Sequence, residues 1–179
     1  MPAFSVIPDT YDFEWMAEQC STSVYTVNDL EDGTLEVHYG SHAASAFADL
    51  VENYDTAYVS VAAAEKKAVV VAMRKEKVKQ FVFNGMPIDL DAVAEARITG
   101  AVVYLDRNPT VTEINWDPAG NGNFVTIPRD TMLAMGDAAG DYVQGCFNNS
   151  KALVEAIAAA TTLTELDAID IEAGWPSGS

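Results

Sequence analysis

Between Pro128 and Thr161 the apolar side chains recur at Met132, Met135, Ala139, Tyr142 or Val143, Cys146, Leu153, Ile157 and Ala160. Steps of three and four residues mark one face of a helix. At 1.5 Å per residue such a helix is about 48 Å long. Its nearest neighbours in sequence cannot cover that length, so other elements must pack along it.

The elements before it are short. Phe81–Phe83 reads as a strand, Asn84-Gly85 as a two-residue hairpin turn, and Met86–Leu90 as the return strand. Asp89 or Asp91 caps a helix over 91–106, with apolar positions Ala92, Val93, Ala96, Ile98, Ala101, Val102 and Leu105. Pro109 ends it, because the residue before a proline is steered away from helix. Thr112–Trp116 and Phe124–Ile127 form a second hairpin around the turn-rich loop 117–123. Pro128 suits the first position of the long helix, and Asp130 complements its dipole. Helices 91–106 and 129–160 should pack antiparallel, with Trp116 and Trp175 against them. Beyond them, Thr162 to Glu165 spells a capping box that opens a last short helix to Asp170.

Residues 42–79 read as mostly helix, since the stretch is alanine-rich and lacks proline. The β-branched runs 58–61 and 69–71 allow strands instead. Phe47, Leu50, Val51, Tyr54, Tyr58 and Val61 form an apolar seam suited to self-association. Lys66, Lys67, Arg74, Lys75, Lys77 and Lys79 hold six of the ten cationic charges. Such a strip either meets acidic surface on a partner or another copy, or is a solvated helix face. In residues 1–41, Asp9 or Thr10 can cap a short helix, and a hairpin over 23–38 turns at Asp32-Gly33. The aromatics Tyr11, Phe13 and Trp15 are candidates for docking on a larger partner; alternatively they fold back on the core.

The division expected is a docking segment (1–41), an alanine-rich helical arm (42–80), a compact C-terminal helical domain (81–176) and a loose tail (177–179). The fold class is mainly α with two small β-hairpins, an α+β arrangement.

A net charge of −17 argues against nucleic acid, whose phosphates demand surplus Lys and Arg, and against an anionic membrane surface. No stretch reaches the ~18 apolar residues of a membrane span. Met1–Thr10 lacks the basic and apolar regions of a signal peptide. Cys20 and Cys146 are far apart, and Cys146 falls on the apolar face of the long helix, as an inert buried thiol would. His38 and His42 have helical i, i+4 spacing, but no third zinc ligand is evident. The 117–123 loop lacks the ligand order of a calcium loop. No phosphate loop, nucleophile elbow or Cys–His pair is recognisable. No catalytic residue, metal site or cofactor is assigned, and the expectation is a protein that is not an enzyme.

Phe81-x-x-Asn84-Gly85 with Asp89 and Asp91, Arg97-Ile98, Asn115-Trp116, Phe124-Val125-Thr126, Val143-Gln-x-Cys146-Phe147, Ala152-Leu153, Ala156-Ile157, Leu166-Asp167-x-Ile169-Asp170-Ile171 and Gly174-Trp175-Pro176 follow one another in order. Over about 81–176 the chain thereby resembles a domain of unknown function found at the C-terminus of tailed-bacteriophage tail-fibre and tail-fibre-assembly proteins. An alanine-rich helix before the Asn-Gly hairpin is common in that family, and 43–79 is similar. Residues 1–41 have no counterpart.

The resemblance implies a structural component of a phage virion, a tail adaptor or fibre-attachment protein. It would be a homo-oligomer bound to other tail proteins, made in the host cytoplasm and carried in the particle. A tail-fibre assembly chaperone that leaves before maturation is the alternative. The family carries no established catalytic residues, so the resemblance transfers none. A hydrolase of host glycans would need an acid/base pair that cannot be named here.

Overall fold

The computed structural model describes residues 3–8, 11–22, 24–117 and 120–177. Two compact units emerge: Met1–Ala62 with Thr161–Leu166, and Ala63–Ala160 with Asp167–Ser179. The secondary structure is mainly helical, with one small antiparallel sheet and two hairpins.

In the first unit, strands β1 (Ala3–Pro8), β2 (Val24–Asp29) and β3 (Thr34–Tyr39) form an antiparallel sheet in the order β1-β3-β2. The β2–β3 hairpin is the expected one, with Gly33 at φ +80° in its turn. Strand β1 is an addition to the expected elements: it pairs with the free side of β3, Ile7 facing Leu35 in register. Helix α1 (Phe13–Gln19) is capped by Asp12, whose Oδ1 accepts the Trp15 amide at 2.9 Å. Asp9 and Thr10, the expected caps, lie outside the described residues. A 3-10 turn at Ser41–Ala43 leads into α2 (Ala44–Ala57). Ile7, Met16, Ala17, Val37, Tyr39, Phe47 and Tyr54 make the buried core of this unit.

The predicted 42–79 helix is interrupted at Tyr58, so α2 gives way to α3 (Val59–Lys77), and the unit boundary falls within α3. From Val59 on, both β-branched runs are helical, and neither forms a strand. Alanines and lysines between them supply propensity that the valines lack, while Thr56, Tyr58 and Val59 cluster at the interruption.

In the second unit, β4 (Gln80–Phe83) and β5 (Met86–Asp89) pair across Asn84 and Gly85, both at positive φ (49° and 77°), as a type I′ turn requires. Helix α4 (Ala92–Arg107) starts at Asp91, whose carboxylate accepts the Val93 and Ala94 amides at 2.9 and 2.8 Å. Strands β6 (Glu113–Trp116) and β7 (Val125–Pro128) form the second hairpin. Asp117 organises its turn, accepting the Asn121 and Gly122 amides. Helix α5 runs Arg129–Ala159. Pro128 is its N-cap and not its first residue, because it also ends β7.

Helices α4 and α5 run antiparallel. Arg129 at the start of α5 donates to the Leu105 and Asn108 carbonyls at the end of α4, Gly136 faces Val102, and Val143 shares a hollow with Glu95 and Ile98. Their core holds Phe81, Phe83, Ile88, Leu90, Ile98, Leu105, Ile127, Met132, Met135 and Ala139, with Trp116 packed partly against it. Trp175 does not reach that cluster; its indole nitrogen donates to Ile171 O at 2.9 Å and its ring lies 6.0 Å from Lys77 Nζ. Along α5, Leu153 is only half-buried, and Ser150 takes the buried position in its place. The step from Cys146 to Ser150 keeps the helical period that polarity concealed.

Helix α6 (Leu163–Asp167) has half of the expected capping box. Thr162 Oγ1 accepts the Glu165 amide at 3.1 Å, but the Glu165 carboxylate reaches back to the Thr161 amide and hydroxyl instead of to Thr162.

Candidate interaction surface

The six seam residues and the three docking aromatics largely meet one another. Phe47 and Tyr54 are buried, and Tyr11, Phe13, Trp15, Leu50, Val51 and Tyr58 pack against the same cluster. Val61 is half-buried in α3. Tyr11 stacks on Tyr54 at 4.2 Å, Trp15 meets Tyr58 edge-on at 5.1 Å, and Tyr54 stacks on Tyr58 at 5.0 Å. Asp12 ties the set together: its amide donates to the Tyr54 hydroxyl at 2.7 Å and its Oδ2 accepts from the Tyr58 hydroxyl at 3.1 Å. Burial pushes the Tyr54 phenol up, outweighing the stabilising Asp12 amide. Of the two alternatives for Tyr11, Phe13 and Trp15, the fold-back on the core is the one seen, and the 47–58 part of the seam packs against them within its own unit. The two sets were complementary, and an apolar ring is better satisfied inside its own unit than exposed.

The histidines do not share a helix. His38 lies on β3, 3.2 Å from the Glu36 carboxylate, whereas His42 is in the 3-10 turn beside Gly40. Cys20 and Cys146 are both free thiols, and burial raises both pKa values. In the cationic strip, Arg74 lies 4.6 Å over the Phe147 ring and Lys79 pairs with Glu76 at 2.7 Å.

The exposed apolar surface lies elsewhere. Helix α4 buries Ile98 and Leu105, yet Val93 (58% exposed), Val103 (41%) and Tyr104 (50%) crowd its outer side. Positions 93, 96, 100, 103, 104 and 107 share that side at helical spacing. Next to it, Arg97 borders a hollow of about 320 Å³ with Trp116, Asp117 and Phe124, and Phe124 is 71% exposed. Five of the eight exposed large hydrophobic residues among those described, with Val125 the fifth, therefore lie on α4 and the β6–β7 hairpin. Two arginines, Arg97 and Arg107, sit on this side with no ion pair among the described residues. A second hollow, about 640 Å³ and largely apolar, is lined by Val69, Met73 and Lys77 of α3 with Tyr142 of α5. The Tyr142 hydroxyl donates to Lys77 O at 3.1 Å on its floor.

The α4 surface was legible in part. Its helix reads apolar on two sides, which one core cannot absorb; sorting the inward Ile98 and Leu105 from the outward Val93 and Val103 would have exposed it.

A sequence model of the family described as Domain of unknown function (DUF4376) matches residues 60–173. The chain belongs to this family. The DUF4376 match begins within α3, ahead of the resemblance at 81, and takes in α4, both hairpins and α5. Both hollows described above thus lie mostly or wholly in the DUF4376 region. Neither curated proteins nor solved structures yield a match. No described helix is long and apolar enough to cross a membrane.

Proposed function

We propose that this chain is a structural component of a tailed-phage virion, a tail adaptor or fibre-attachment protein that works by binding other proteins and copies of itself. The observation that carries the reading is the exposed apolar and cationic surface on α4 and the β6–β7 hairpin. Single-chain proteins rarely leave contiguous apolar surface open unless something docks there. The ordered resemblance over 81–176 to phage tail-fibre and tail-fibre-assembly proteins supplies the setting. Binding, not catalysis, is the role these residues suit.

Mass spectrometry of purified particles of the encoding phage, beside the infected-cell lysate, tests the reading. A structural protein stays with the particles through purification at a fixed ratio to other tail proteins. An assembly chaperone using the same surface would be abundant in the lysate and missing from finished particles.

A further inference from the structure

The charge along this chain is sharply divided. Residues 1–62 contain eleven Asp and Glu and no Lys or Arg, while all ten cationic side chains lie at position 66 or beyond. Within the acidic part, α2 turns Phe47 and Tyr54 inward and exposes Ser45, Ala48, Asp49, Glu52 and Thr56 on its other side. Those positions share one helical stripe, and the carboxylates of Asp49 and Glu52 have no partner among the described residues. The α4 surface differs from it: Val93, Val103 and Tyr104 are exposed beside Arg97 and Arg107, cations of a kind α2 lacks and with no ion pair among the described residues, while Glu95 and Asp117 stand at its margins.

We infer that the α4 surface of one copy receives the acidic α2 side of a second copy of this chain. The contact is heterologous, since two different surfaces meet, and such a contact propagates head to tail into a ring or a row. It rests on the self-association part of the function proposed above and not on the virion setting. Two helices bearing small residues where they touch (Ser45 and Ala48 on one, Ala96 and Gly100 on the other) can approach to the short end of the usual ~8–10 Å interaxial range. Valine and tyrosine flanks then lose water, and guanidinium groups meet carboxylates at the edge, where charge sets partner choice and register.

Each copy carries −17, so whole chains repel. That repulsion acts mostly across distances beyond the Debye length of ~8 Å at physiological ionic strength, whereas paired charges ~4 Å apart lie inside it. The local pairing therefore survives salt that screens the global term. This interface also differs from the 47–61 stripe, which is already covered within the chain.

Charge exchange tests the inference with the purified full chain, by sedimentation velocity over a concentration series at about 0.15 M salt. Wild type is expected to self-associate. Arg97→Glu/Arg107→Glu leaves both surfaces acidic, and Asp49→Lys/Glu52→Lys leaves both basic. Each variant alone should dissociate at least about tenfold more readily. All four positions are exposed, and unchanged circular dichroism verifies folding. Mixed equimolar, the two variants present complementary surfaces at every junction and should associate again. A wild type that stays monomeric, variants that associate as wild type does, or a mixture that stays monomeric would each overturn the inference. So would a monomeric wild type whose Arg97→Glu/Arg107→Glu form is lost from particles, which would assign the surface to another tail protein. Particle content of the wild-type chain is read separately, so failure here leaves the virion reading standing or falling by its own measurement.

Discussion

Gly136 and Gly140 stand one turn apart on α5, and alanine at the two should act in opposite directions. A Cβ on Gly136 would lie 2.5 Å from Val102 Cγ2 of α4, while a Cβ on Gly140 meets nothing within 4 Å. Carbon atoms rest at about 3.5–4.0 Å, so Gly136→Ala forces the helices or the valine to move by roughly 1 Å. Overpacking of this kind costs about 1–3 kcal/mol. Replacing glycine by alanine inside a helix contributes about 1 kcal/mol in the other direction. The net for Gly136→Ala is then about 0–2 kcal/mol of destabilisation, and for Gly140→Ala a gain of up to about 1 kcal/mol. At about 2–4 °C per kcal/mol for a chain of this size, the two melting temperatures should straddle the wild type. Thermal unfolding followed at 222 nm reads this directly. Adding Val102→Ala should relieve Gly136→Ala, a coupling that a double-mutant cycle isolates. If Gly136→Ala stabilises as much as Gly140→Ala, the close approach of α4 to α5 is not real.

Other expectations follow from burial and titration. Leu105→Ala, at a fully buried site, should cost about 2–5 kcal/mol in urea unfolding. Leu153→Ala, at a half-buried one, should cost clearly less, and the reverse order would put the α5 register in error. Cys146 should resist alkylation by iodoacetamide until the chain unfolds, since it is fully buried with its thiol pKa raised by burial. Cys20 is only half-buried and should react first; equal rates would refute the placement. Hydrogen bonds from the Thr161 amide and hydroxyl hold the Glu165 carboxyl below its ordinary value of 4.5. Its stabilising effect is complete above the unfolded-state pKa and is lost as pH falls through the lower folded-state pKa. Carbon-13 titration of Glu165 should show a midpoint under 4.5, and a midpoint at or above that value would contradict the α6 cap.

The parts that were legible share one property: the signal is local. Asn84-Gly85 dictates its own turn, Asp91 its own cap, and the apolar steps from Met132 to Ile157 their own helix. What escaped depends on partners distant in sequence. Strand β1 exists because β3 offers it an edge, and six residues at the chain start cannot announce that. Tyr11 reads as a docking aromatic and Tyr54 as a seam residue, and neither reading reveals that they stack on each other. At Ser150 a hydroxyl breaks the apolar pattern, although its helical phase places it inward. The surface on α4 is hidden differently: Val93 and Ala96 read with Ile98 and Leu105 as one apolar set, and only packing separates the outward pair from the inward one.

Under the proposed function, this chain is built into a phage tail by protein–protein contact. A cryo-EM reconstruction of an intact tail from the phage proposed to carry the chain is the test. Density is expected for several copies, each with the outer side of α4 and the β6–β7 hairpin covered by a neighbouring protein chain. A tail whose density is fully assigned to other chains would contradict it, as would copies whose α4 surface faces only solvent.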